Sequence, residues 1–526
     1  MSTFLKIWLL LVVVAIALRL GDPPLLDADE GRNAEVAREM AETNDYVMPR
    51  LNGLPYLDKP VVYFAAEAAF MEVLGPTELA ARLPAYLFTI ATAAVLFWFA
   101  RRTGSDPFVA AIVFLSMPFV VAFARTVIFD SALMFFVVAA LTAFWCAVEE
   151  RNSRWSMLAW AAMGFAMITK GPVTFVLVLF VVVPYAWRRK ALGVVFPLLG
   201  IVVFAAVIAP WVWGVTRVVP EFLRYVLVTE TAARMATDEL QRTGPPWYFL
   251  PYLIGGALPW SIVALSSWRS SKKIDLFLIL WLAIPLVFFS ISQSKRPQYI
   301  LPLMPAVALM VARIWSEAKT RIAAVLVAIL GAIFLAAPLI LPRVKMKPEI
   351  AGVAGLTALI LGIAFFIGGL VALFAKRREW ILAALTLPVI VLPMATEPLL
   401  AGIAARRSTK SMAAEMQPYL SPQTEIIGVE AYAGSLAFYL RRPIIVVSED
   451  ASELTSNYLI RRYGQFTSNP ASPIKPLPYF ERSLASTAPR VYVLRVGDGK
   501  RRALLESRGW RVIALGARHV AYGHGE

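Results

Sequence analysis

The run LLDADEGRNAEVAREM, beginning at Leu25, sets Asp27, Asp29, Glu30 and Arg32 close together directly after an apolar stretch. Further along, YLDKPVVYF supplies Asp58 and Lys59, ARTVIFDSALMFF supplies Asp130, MITKGPV supplies Lys170, and SQSKRPQYILPLMP supplies Lys295, Arg296 and Tyr299. A positioned carboxylate activates a poor nucleophile as a general base, and cations stabilise a departing phosphate. Acids and bases of these types at one interface therefore suit group transfer from a phosphate ester. Each residue also has a plain structural use. Asp27 can N-cap a helix with Glu30 as its capping-box partner, and Asp29 favours the positive helix end. Lys170 and Arg296 can snorkel or pair at helix ends. Those uses do not explain why five separate turns of an apolar chain carry such groups.

The elements that must position them are membrane spans. Of 526 residues, 59% are hydrophobic and only 16% charged, with a mean hydropathy of +0.67, outside the range of soluble globular proteins. Apolar stretches recur at roughly 4–20, 80–100, 107–124, 131–148, 155–169, 172–187, 194–216, 248–267, 275–292, 299–315, 322–341, 351–374 and 380–396, about thirteen spans of a bundle that crosses about 30 Å of hydrocarbon. The first lacks a small-x-small cleavage site and reads as a retained anchor. Alternate connections carry Arg101–Arg102, Arg188–Arg189–Lys190 and Lys376–Arg377–Arg378, which marks that side as cytoplasmic. The loop at 21–79, the turns bearing Asp130, Lys170 and Lys295, and everything after 396 then lie on the outer, periplasmic side of a bacterial inner membrane. The expected domains are a transmembrane domain over 1–396, with 21–79 as its first external loop, and an external domain over 397–526. In the latter, EIIGV, PIIVV and RVYVLRV alternate with helical stretches, predicting a small α/β fold.

Composition also excludes. The formal charge of +16 matches basic loops beside anionic lipid, and no nucleic-acid partner is expected. Cys146 is the lone cysteine and the two histidines, His519 and His524, sit at the C-terminus, so there is neither a disulfide framework nor a His-rich membrane metal site. No GxGxxG or P-loop lysine occurs in a strand-to-helix setting. Outside the cytoplasm activated groups arrive on lipid phosphates, so the substrate expected at this interface is a polyprenyl-phosphate donor, its phosphate bound by Lys59, Arg32 and Tyr299.

Taken in order, DADEGRNAEVAREM, NGLPYLDKPVVYFAAEAAFMEVLGPTELAARLPA, ARTVIFDSALMFF, MITKGPV, PPWYFLPYLIGGALPW and SQSKRPQYILPLMPA resemble the GT-C membrane glycosyltransferases of the protein-O-mannosyltransferase superfamily, and within it the bacterial lipid A aminoarabinose transferases. The resemblance covers most of residues 1–310. It implies an α-helical polytopic GT-C fold and an inverting transfer of a sugar from a polyprenyl monophosphate, such as undecaprenyl phosphate, to an envelope acceptor. It implies Asp29 as base or acceptor-orienting carboxylate with Glu30 beside it, Arg32 and Lys59 as phosphate contacts, Asp130 as a second external aspartate, and Tyr299 bordering the donor phosphate; Lys295, in the same turn as Tyr299, is a further expected phosphate contact. One departure stands out: relatives carry histidines before the Pro-Trp-Tyr segment, where a divalent metal binds, and VTETAARMATDELQRTGPPWYF has none. A metal would have to use carboxylates such as Asp58 and Glu230, favouring Mg or Mn over Zn. The acceptor stays open between a lipid A-like glycolipid and a protein or cell-wall glycan. A lipid-linked sugar flippase or secondary transporter is the alternative from another class, although such proteins place their charges near the bilayer midplane.

Overall fold

The computed structural model describes residues 3–226, 244–267, 275–341 and 348–524. The chain divides into two compact units, Met1–Leu20 with Arg82–Leu399, and Gly21–Ala81 with Leu400–Glu526. The sequence reading attached the loop at 21–79 to the spans; its contacts group it with the C-terminal segment, and the boundary falls after residue 399.

The first unit is helical. Its Leu, Val, Ile, Ala and Phe runs satisfy their backbone groups internally, as hydrocarbon requires. Among the described residues seven helices are long and apolar enough to cross a membrane, or nine if each of two bent pairs counts as one span. Three more apolar helices, Thr3–Ala17, Val173–Arg188 and Leu276–Ile291, are shorter, so helix length does not reproduce the thirteen segments read from hydropathy. Two segments read as single spans are broken: Pro107–Leu115 and Pro118–Ala124 meet at 68°, and Phe249–Gly256 and Trp260–Ser267 at 101°. Pro118 has no N–H to continue the preceding helix. The Trp260 indole donates to the Ser116 hydroxyl at 2.8 Å, tying the two breaks together. Val137, Leu141, Phe144, Met163, Val178 and Val182 are among the fully enclosed core side chains, whereas Leu198, Ile291, Leu339 and Phe374 are largely exposed. Large apolar groups on the outside of an apolar bundle are covered by lipid rather than water.

The second unit holds a six-stranded sheet. Its strands are β3 (Glu425–Val429), β4 (Ile445–Ser448), β5 (Ile474–Pro476), β6 (Arg490–Arg495), β7 (Arg511–Leu515) and β8 (His519–Gly523), in the order β5-β4-β3-β6-β8-β7. The first four pair in parallel, β8 adds antiparallel to β6, and β7 pairs antiparallel to β8 at the edge. Alternation along β6 explains the two cores: Val491 and Val493 pack on one face with Leu436 and Met416, while Tyr492 and Leu494 pack on the other with Phe480 and Trp510. The α/β character expected after residue 396 is thus present as a mixed sheet.

The loop at 21–81 adds the helices Asp29–Thr43 and Val62–Leu74 and a hairpin, β1 (Arg50–Leu51) and β2 (Leu54–Pro55), closed by Asn52-Gly53. Both turn residues have positive φ, 56° and 76°, which Asn and Gly tolerate best. The Glu39 carboxylate accepts from the Asn52 and Gly53 N–H groups, at 2.5 and 2.9 Å. The buried Asn52 amide donates to the Ile444 carbonyl at 2.6 Å and accepts from its N–H at 2.8 Å. Asn52→Ala strands both backbone groups and is expected to cost about 2–4 kcal/mol, read as a lower thermal midpoint in detergent. A midpoint within a degree of wild type would contradict this.

Candidate functional site

In the second unit the DADEGR run opens the helix Asp29–Thr43. The expected cap is not Asp27. Ala28 occupies the N-cap without a side-chain bond, and the Asp27 carboxylate instead accepts from the Ser435 N–H at 3.0 Å and from the Ser435 hydroxyl. Desolvation pushes the Asp27 pKa up to about 6. Glu30 does reach back, accepting from the Leu26 N–H at 3.1 Å, and is buried. That leaves Asp29, half exposed in the first helical turn, as the accessible carboxylate. Its Oδ1 accepts from Arg32 Nη2 at 2.8 Å. Arg32 is itself fixed by Thr455, whose hydroxyl and carbonyl accept from Nη1 at 2.7 and 3.1 Å, and its guanidinium lies 5.8 Å from the centre of the Tyr56 ring. Its buried Nε has no hydrogen-bond partner among the described residues. Gly434 permits this approach, since a methyl group there would sit 2.6 Å from Arg32 Cα and 2.8 Å from the Gly31 carbonyl carbon.

Asp58 and Lys59 lie in the same unit. The two Asp58 oxygens accept from the Asn457 and Tyr458 N–H groups at 2.9 and 3.1 Å, so this carboxylate anchors the start of the helix Asn457–Arg461. Lys59 Nζ donates to the Asp58 carbonyl at 2.7 Å. The metal reading of Asp58 does not fit this arrangement: its oxygens serve backbone donors, and among the described residues no three His, Cys, Asp or Glu side chains gather to hold an ion. Glu230 lies outside the described residues.

In the first unit Asp130 begins the helix Asp130–Glu150 and is buried, paired with Lys170 at the end of the helix Ser153–Lys170. Lys170 Nζ stands 4.8 Å from the centre of the Tyr299 ring, a cation–π distance. The structure therefore joins Asp130 to Tyr299 through Lys170. Lys295 goes elsewhere. Its ammonium donates to the carbonyls of Ser290 at 2.8 Å and Ser292 at 2.9 Å, with Phe289 at 3.4 Å, closing the helix Leu276–Ile291. A lysine at a helix C-terminus satisfies carbonyls that have no intrahelical partner, so the phosphate role expected for Lys295 gives way to capping.

Sequence reasoning passed over a buried charge layer in the second unit. Glu35 and Arg38 form a two-pronged pair at 2.7 and 2.8 Å inside the protein. Glu67 is fully buried with neither oxygen hydrogen-bonded among the described residues, and burial together with the Glu30 charge raises its pKa well above the carboxylate range. A lone Glu within YFAAEAAF was the available signal.

Comparison with known proteins places this architecture. Residues 58–213 match the family model described as dolichyl-phosphate-mannose-protein mannosyltransferase. The undecaprenyl phosphate-α-4-amino-4-deoxy-L-arabinose arabinosyl transferase of Erwinia tasmaniensis is 30% identical over 69% of this chain and 70% of its own length. Its counterpart from Aeromonas hydrophila is 30% identical over 70% of this chain and 72% of its own. One from Pseudomonas fluorescens is 31% identical over 54% of this chain, which spans about half of that relative, 51%. The crystal structure of ArnT from Cupriavidus metallidurans bound to undecaprenyl phosphate superposes with a TM-score of 0.85 at 26% identity, covering 99% of this chain and 97% of that one. The protein is a multi-pass membrane glycosyltransferase of the GT-C fold, and the transporter reading is not favoured. More narrowly, the chain belongs to the undecaprenyl phosphate-α-4-amino-4-deoxy-L-arabinose arabinosyl transferase family.

Proposed function

We propose that the protein moves 4-amino-4-deoxy-L-arabinose from undecaprenyl phosphate onto a glycolipid of the lipid A type, at the periplasmic face of the bacterial inner membrane. The observation that carries this reading is likeness along 99% of the chain to a transferase crystallised with undecaprenyl phosphate. An acceptor oxygen attacks the anomeric carbon from the face opposite the carrier, the bond from that carbon to the phosphate oxygen breaks, and the configuration inverts. Where the acceptor is a hydroxyl, Asp29 takes its proton; where it is a phosphate, Asp29 and Arg32 orient it. The carrier phosphate gains negative charge as it leaves, which Arg32 and Lys59 offset.

The test is purified protein in lipid with a radiolabelled undecaprenyl-phosphate sugar and extracted envelope glycolipid. Label passing to the glycolipid supports the reading, and label that stays on the carrier overturns it. Lys59→Ala removes one charge-assisted contact and is expected to lower kcat/KM for the donor by roughly 10- to 100-fold, read from initial rates across donor concentration. Unchanged kcat/KM would remove Lys59 from the phosphate site.

A further inference from the structure

The first unit holds a cavity of about 710 Å³, a volume ordinary for a small-ligand site, that the transfer chemistry leaves unused. It lies at the end of the bundle away from Asp130. The helix Asp130–Glu150 rises about 30 Å over its 21 residues. At its far end Glu150 accepts from Arg102 Nε at 2.9 Å, and the connection Thr103–Asp106 that follows forms one wall of the cavity. Leu5 of the helix Thr3–Ala17, Arg313 from the last turn of the helix Met304–Ile314, and the first turn of the helix Arg378–Ala395 supply the others. The charges in these walls are of both signs. Arg313 is already matched by Asp275 at 2.9 Å. Arg378 uses only Nη1, on the Trp315 carbonyl, which leaves Nε and Nη2 to donate elsewhere. Its helix also begins without a side-chain cap at Arg377, and an uncapped helix start favours an anion. Across the cavity Asp106 caps the helix Pro107–Leu115, but the Phe108 and Val109 N–H groups both go to Oδ1, at 2.9 and 3.1 Å, leaving Oδ2 for a further donor. Glu379 adds a second carboxylate to the wall.

A purely basic pocket between membrane helices suits an anionic headgroup. This cavity opposes such a molecule with the carboxylates of Asp106 and Glu379, and opposes a simple cation with Arg378. A dipolar molecule meets complementary charge at both ends. Its surroundings are those of lipid rather than of a soluble ligand. Phe374 and Trp380, on either side of Arg378 in sequence, are 78% and 51% exposed, and the Phe4 ring packs on Trp380 at 4.6 Å, the aromatic setting of a membrane interface. Leu5, Val109 and Leu382 line the same cavity and give the glycerol and first acyl carbons of a lipid an apolar wall.

We infer that this cavity binds the headgroup of an aminophospholipid, a phosphodiester that carries a primary ammonium, in the leaflet at the end of the bundle away from Asp130. The phosphate sits at Arg378 and the first turn of its helix, and the ammonium donates to Asp106 Oδ2 and Glu379. A primary ammonium has three N–H donors for these oxygens, whereas the quaternary ammonium of a choline lipid has none. The site is separate from the transfer chemistry and does not depend on it.

The experiment titrates full-length protein in detergent with dioleoylphosphatidylethanolamine, its N-methyl and N,N-dimethyl forms, dioleoylphosphatidylcholine, dioleoylphosphatidylglycerol and water-soluble glycerophosphoethanolamine, and follows bound molecules by native mass spectrometry. Wild-type protein is expected to bind the ethanolamine lipid roughly tenfold or more tightly than the choline lipid, with affinity falling along the methylation series. Asp106→Asn keeps a good helix cap and removes the charge, so it is expected to hold its thermal midpoint while bringing the ethanolamine and choline lipids to near equality. Arg378→Gln is expected to weaken every phospholipid by about tenfold. Arg188→Gln, an exposed arginine at the same end of the bundle and outside the cavity, is expected to bind like wild type. The lipid series on wild-type protein decides the matter even where a variant folds poorly. Equal affinity for the ethanolamine and choline lipids, or no retained lipid at all, overturns the inference. Tightest binding of the glycerol lipid overturns it in favour of an anionic headgroup, and glycerophosphoethanolamine binding as tightly as its lipid overturns it in favour of a soluble ligand.

Discussion

Asp29→Asn is expected to lower the transfer rate by about 10²- to 10⁴-fold while leaving the thermal midpoint of the protein unchanged. The carboxylate is half exposed in the first turn of the helix Asp29–Thr43, and the Arg32 guanidinium that donates to it at 2.8 Å can hydrogen-bond an amide oxygen in the same place. Substitution therefore removes basicity and charge without emptying a packed site, and changes at such positions usually fall within about 0.5 kcal/mol in stability. Glu30 cannot replace Asp29: it is buried and turned back onto the Leu26 N–H. Nor can Asp27, whose oxygens are held by Ser435. Measuring kcat at saturating donor separates the two contributions of Asp29. A fall in kcat with KM little changed identifies a role in the transition state, and a rise in acceptor KM alone identifies a role only in acceptor binding. Wild-type turnover in Asp29→Asn would move the reacting carboxylate elsewhere.

How much of this was legible in the sequence depends on the physical signal each feature leaves. A bundle of apolar helices follows from hydropathy because hydrocarbon accepts few alternatives. The breaks before Pro118 and Trp260 do not, since an apolar run of span length has the same composition whether straight or bent. The α/β segment was readable from alternation, as the two faces of β6 confirm. Side-chain allegiance was less readable. Asp27 has the type and spacing of a helix cap, yet Ser435, distant in sequence, claims it. Lys295 stands in a turn that resembles a phosphate-binding element, yet three carbonyls of its own helix end lie closer to hand. Glu35 and Arg38 have the i, i+3 spacing of a solvated pair, but tertiary packing encloses them. The Asn52-Gly53 turn is a local signal of a hairpin, but two-residue strands leave no alternation beside it to read.

The buried pair in the helical unit carries the other large effect. Asp130 is 2% exposed and its partner Lys170 only slightly more accessible, so neither charge has much water to fall back on. Removing one member of such a pair leaves the other enclosed without its counter-ion, a loss of about 3–5 kcal/mol, whereas replacing both by apolar groups of similar size is often near neutral. Asp130→Leu and Lys170→Met are each expected to lower stability by that amount, and the double variant to recover most of it. A double-mutant cycle on unfolding in detergent measures the coupling directly. Activity will not follow stability. Lys170 is held over the Tyr299 ring at 4.8 Å by the Asp130 carboxylate, and the double variant removes the cation that links the helix Asp130–Glu150 to the turn Pro297–Leu303. The expected signature is thus a refolded but poorly active double variant, which assigns Asp130 a positioning role exerted through Lys170. Full activity in that variant would show that the pair serves only the fold, and single substitutions costing under about 1 kcal/mol would show that the pair is solvated like an ordinary surface ion pair.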